Sequence, residues 1–103
     1  MIYNKLVRDR IPQIIEENGG KAEMRILSDE EYRSFLEAKL DEEVGEYHRD
    51  KNAEELADIL EVVYALAASI GCSKEDLEAV YQKKHNARGG FEKKIFLISS
   101  EQQ

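Results

Sequence analysis

The chain has a single cysteine, a single proline and no tryptophan among its 103 residues. With Cys72 alone, no intramolecular disulfide can close and no cysteine-based metal site can be built. Long apolar runs are missing as well. The most hydrophobic stretch, Leu56 to Ile70, is interrupted by Asp58 and Glu61, so no transmembrane span fits and no membrane partner is expected. The opening MIYNKLVRDRIP lacks the apolar core of a signal peptide, which makes a cytoplasmic location the expectation. Positive charge is in deficit: 15 Lys and Arg face 22 Asp and Glu, for a net charge of −7. A nucleic-acid polymer needs a basic footprint, so binding of that kind is excluded.

What remains is a charge-rich globular chain, 42% hydrophobic and 36% charged, long enough for one domain over residues 1–103 with a single core. Its cations are grouped. Lys5, Arg8 and Arg10 lie near the N-terminus; Lys83, Lys84, His85 and Arg88 lie near the C-terminus. An acidic centre flanked by two small basic groups suits a metal-bridged phosphate ligand better than a long polyanion.

Punctuation along the chain predicts helices. Asp9 can cap a short helix to about Asn18, with Pro12 in its first turn and Asn18-Gly19-Gly20 as a stop. Ser28-Asp29-Glu30-Glu31 reads as a capping box opening a long helix to about Asp50. Lys51-Asn52 is a turn, Asn52 caps a helix to Ile70, and Ser73 caps another to about Ala87. Residues 21–27 and 91–98 read as short strands that can pair with each other. The two-residue turn makes the two long helices antiparallel neighbours. The expected fold class is therefore all-α, an antiparallel helix bundle with room for a small two-stranded β element.

Two acidic clusters stand on those neighbours: Glu42-Glu43-Val44-Gly45-Glu46, then Glu55-Leu56-Ala57-Asp58. Each holds carboxylates at i and i+3, which share a helical face and repel one another. The hairpin brings Glu43, Glu46, Glu55 and Asp58 to one level, the arrangement by which helical bundles hold divalent metals. Asp58 lies on a helix apolar almost all round, which predicts a buried charge that must be paired, neutralised or metal-bound. Glu43 shares a side with Leu36, Leu40 and Tyr47 and shows the same conflict more weakly. Plainer readings exist for most of these residues. Glu55 also fits the third position of a capping box with Asn52. Glu42 and Glu46 also fit as solvated partners of nearby bases such as Lys39. Lys83 and Lys84 also fit as complements to a helix dipole.

The pair EExxE and ExxD, with the opening YNKLVRDRIPQII and the closing KKHNARGGF, resembles the all-α nucleotide pyrophosphatase superfamily. This is the MazG-like group that also contains phosphoribosyl-ATP pyrophosphohydrolase. The resemblance covers nearly the whole chain. It implies a Mg²⁺ site (Mn²⁺ as a substitute) on Glu43, Glu46, Glu55 and Asp58. It also implies phosphate contacts from Lys39, Lys84 and Arg88, and assembly as dimers or tetramers. The implied reaction is hydrolysis of a nucleoside triphosphate between its α and β phosphates, with Glu42 as a candidate base for the attacking water. The implied role is clearing surplus or non-standard nucleotides. Phosphoribosyl-ATP hydrolysis in histidine synthesis is the alternative enzyme, and a non-catalytic helical nucleotide-binding or oligomerisation module is the alternative class.

Overall fold

A computed structural model describes residues 1–101. Four helices follow in order: α1 (Ile11–Glu17), α2 (Asp29–Asp50), α3 (Ala53–Ser69) and α4 (Lys74–Arg88). Local sequence sets most of their ends. The Ser28 hydroxyl accepts from the Glu31 amide at 3.2 Å, and the Glu31 carboxylate returns to the Ser28 amide. Ser73 and Asp76 repeat the arrangement at α4. These reciprocal bonds satisfy amides that the first turn of a helix leaves without partners. The first helix differs from expectation. Its N-cap is Arg10, with no side-chain cap bond, and Pro12 opens the helix in place of an Asp9 cap.

Lys51 takes a left-handed conformation (φ 48°) that ends α2, and Asn52 caps α3 through the Glu55 amide at 3.0 Å. This two-residue corner folds α3 back along α2. The far end of the hairpin is tied by Arg33, whose guanidinium donates to the Ser69 carbonyl at 3.2 Å. Leu36, Val62 and Ala67 form the buried seam between the two helices. The fourth helix leaves the end of α3 at a bend of 107°. No single helix among the described residues is long and apolar enough to cross a membrane.

Two expectations are corrected. The third helix is not buried on all sides: Leu56 and Leu60 are half exposed, and Ile70, just past its end, is mostly exposed. One helix hairpin covers only one stripe of it. Nor do residues 21–27 and 91–98 form strands; no strand occurs among the described residues. An isolated two-stranded ribbon is marginal unless a third strand or a helix covers it. Here Phe91, Phe96 and Ile98 stand 98%, 87% and 89% exposed, so nothing among the described residues covers that segment.

The chain is correspondingly open. It exposes 9510 Å²; a compact monomer of 11.9 kDa exposes about 5,900 Å². Its radius of gyration is 18.3 Å, where about 13 Å describes a compact domain of this length.

Candidate metal centre

The corner between α2 and α3 collects the carboxylates. Glu43 and Glu46 lie on the last two turns of α2, and Glu55 and Asp58 on the first two turns of α3. Antiparallel packing places these turns side by side. One ligand oxygen from each of Glu43, Glu46, Glu55 and Asp58 lies within 4.8 Å of all the others. The four residues singled out by the acidic motifs thus converge, and the cluster can hold a metal ion.

Burial makes the cluster more than a patch of surface acid. Glu43 is 7% exposed, the one buried charged residue among those described. Its Oε2 and the Oε2 of Glu55 are buried and have no hydrogen-bond partner. Ionised carboxylates only accept, so neighbouring acids cannot satisfy one another. Burial raises the Glu43 carboxyl above the usual carboxylate range. The protonated Glu43 carboxyl can donate to Glu46, and this and the charge of Glu46 push it further in the same direction, against the Lys39 ammonium, while Asp58 adds a smaller push. Glu55 is raised too, first by desolvation and then by Glu46, Asp50 and Asp58. Both shifts record carboxylates whose desolvation and mutual repulsion outweigh the cationic charge near them. Four oxygen donors without nitrogen or sulfur suit a hard divalent cation.

Some of the plainer readings separate at this level of detail. Glu55 supplies its amide to Asn52, but the reciprocal bond that would complete a capping box does not form. Its carboxylate turns into the cluster instead. Glu46 joins the cluster, whereas Glu42 is exposed and pairs with Lys39 at 3.6 Å. The same lysine Nζ lies 3.6 Å from Glu43 Oε1, so Lys39 borders the cluster one turn upstream.

The burial expected for Asp58 falls on Glu43. The Asp58 side chain is 41% exposed and accepts a hydrogen bond from Arg8 at 2.7 Å. Arg8 also reaches to 3.9 Å from Glu61. In the sequence Arg8 belongs to the N-terminal basic group and lies outside the acidic motifs that mark the site. Fifty residues separate the partners, and no helical period connects them.

Lys84 and Arg88 do not join the cluster. Both are exposed on α4, which departs from the end of α3 remote from Glu55 and Asp58. With 1.5 Å of rise per residue, the separation is on the order of 20 Å.

Comparison with known proteins adds little beyond these observations. No family model matches the chain, and no solved structure matches it. An uncharacterized protein of Mycolicibacterium smegmatis (strain ATCC 700084 / mc(2)155) is 57% identical over 42 residues, covering 41% of this chain and 43% of that protein. The match therefore spans less than half of either chain.

Proposed function

We propose that the protein is a MazG-like, divalent-cation-dependent nucleotide pyrophosphohydrolase of the cytoplasm. It hydrolyses a nucleoside triphosphate between the α and β phosphates, releasing the monophosphate and pyrophosphate, and clears unwanted nucleotides. The observation that carries this reading is the convergence of Glu43, Glu46, Glu55 and Asp58 within 4.8 Å, with two buried oxygens lacking any donor. The EExxE and ExxD pattern supplies the reaction class by resemblance.

Mg²⁺ on these four residues, or Mn²⁺ in its place, supplies charge neutralisation for the phosphate oxygens and polarisation of the phosphorus. The chain's own residues do the rest. Glu43 and Glu55 fix the floor of the site, because their carboxylates are held by helix packing at the corner. Lys39 is only 20% exposed and spans Glu42 and Glu43, a position from which its ammonium meets a phosphate oxygen. Glu42 is the exposed carboxylate beside the cluster and serves as acceptor for a proton from the attacking water.

Lys84 and Arg88 reach the substrate from a second copy. On the order of 20 Å is too far for a side chain within one protomer. The excess exposed area, about 3,600 Å² over a compact monomer, is more than the roughly 1,000–2,500 Å² that each copy gives to a permanent homodimer interface. The proposed enzyme is accordingly a homo-oligomer, a dimer or tetramer.

The test is a panel of ribo- and deoxynucleoside triphosphates, with phosphoribosyl-ATP included, assayed for pyrophosphate release with Mg²⁺. Release from at least one substrate, abolished by excess chelator, is expected. No pyrophosphate from any substrate, or turnover undiminished in chelator, would overturn the proposal.

A further inference from the structure

Arg8 is the residue of the site that the motifs do not account for. Among the described residues, its contacts with Asp58 (2.7 Å) and Glu61 (3.9 Å) are the only side-chain hydrogen bond and ion pairs tying residues 1–24 to the helices that follow. The first helix packs closely against no other helix. It has seven residues, and a helix so short is unstable without tertiary support. The segment is therefore anchored through a carboxylate that also belongs to the four-acid cluster.

We infer that the Arg8 guanidinium and a divalent cation compete for Asp58, so that loading the cluster releases the N-terminal segment from α3. A guanidinium at 2.7 Å and a dication both draw on the same negative charge, and they repel each other. The exchange does not require the core to open, since the Arg8 and Asp58 side chains are 55% and 41% exposed. Exposed ion pairs are weak, which keeps the competition within reach of ordinary cation concentrations. Cation binding at the corner is thereby coupled to order at the start of the chain. The competition presupposes the cation site proposed above, but not the reaction.

Two measurements on the full chain without nucleotide test it. The first is Mn²⁺ binding, followed by the paramagnetic resonance signal of the free ion, for the wild type, Arg8→Ala and Arg8→Lys. Arg8→Ala is expected to bind about two- to fivefold more tightly, the scale of an exposed ion pair, and Arg8→Lys to stay near the wild type. The second is hydrogen exchange of the α1 amides in the wild type, which needs no variant. It is expected to quicken on saturation with Mg²⁺. Unchanged or weaker Mn²⁺ binding by Arg8→Ala, or α1 exchange that Mg²⁺ leaves unchanged or slows, would overturn the competition. A wild type that binds Mn²⁺ in either case leaves the cation site standing. A wild type that binds no Mn²⁺ overturns both.

Discussion

In the α2–α3 hairpin the anomaly is polar; in the C-terminal arm, α4 and residues 91–101, it is apolar. The hairpin buries Glu43 beside a seam of Leu36 and Val62 and leaves two carboxylate oxygens without donors. The arm holds Phe91, Ile95, Phe96, Leu97 and Ile98 in water, at least 75% exposed. Each is an unfavourable arrangement for a lone chain, one through desolvated charge and the other through exposed apolar surface. On the proposed reading the hairpin is completed by a cation and the arm by another protomer. The two regions then divide the work: one holds the metal, the other supplies Lys84 and Arg88 across the interface.

The largest effect should come from breaking the hairpin side. Glu43→Gln and Asp58→Asn should each lower pyrophosphate release by more than about 100-fold. Loss of an outer-shell partner alone costs 10- to 100-fold in metal sites. Both variants should keep the wild-type helical circular dichroism. Near-normal turnover in either would move the site elsewhere.

Breaking the arm side should change assembly first. Phe96→Asp combined with Ile98→Asp should convert an oligomer to a monomer at micromolar concentration, read by light scattering. A wild type that is already a well-folded monomer would remove the second copy from the account.

Lys84→Ala and Arg88→Ala sharpen the comparison by asking whether the arm takes part in chemistry. A charge-assisted contact to phosphate is worth roughly 1.5–3 kcal/mol, or about ten- to hundredfold in kcat/KM. Mn²⁺ binding should not change. A lowered melting temperature with intact kinetics would reduce these residues to complements of the α4 dipole.

The contrast also shows what could be read from the sequence. Helix boundaries were legible where short-range chemistry sets them: Ser28 with Glu31, Ser73 with Asp76, and the Lys51-Asn52 corner. The four cluster carboxylates were legible because helical spacing and a two-residue turn fix their register. Burial was not. The apolar run around Asp58 pointed to a buried charge there, but Asp58 stays half exposed beside Arg8, and the carboxylate that the hairpin buries is Glu43, opposite it on α2. The apolar content of residues 91–98 was visible, while its state depends on what packs against it, and local sequence does not specify that. Arg8 escaped because its partners lie fifty or more residues away.

The smallest effect concerns pH. A carboxyl whose folded pKa is raised binds more protons in the folded state than in the unfolded one. For Glu43 and Glu55, stability is then highest below the ordinary carboxylate pKa and falls as pH rises through their raised values. Glu31 works in the opposite sense and in a lower window: Arg25 and the Ser28 cap hold it at about 2, so its contribution is lost only in acid. Without added metal, the melting temperature should therefore decline from about pH 5 towards neutrality, pH 5 lying just above the ordinary carboxylate range. Glu43→Gln should flatten part of that decline and raise Tm at neutral pH. The gain should be on the order of 1 kcal/mol, the usual scale of a single substitution. An unchanged Tm and pH profile would mean that Glu43 carries no such conflict.

The central claim is that Glu43, Glu46, Glu55 and Asp58 hold a divalent cation, and Mn²⁺ titration of the wild type beside Glu43→Gln at neutral pH tests it most directly. The account predicts saturable binding by the wild type, weakened at least tenfold in the variant, on the scale of losses in metal-site affinity. Equal binding by the two proteins, or none by either, would contradict it.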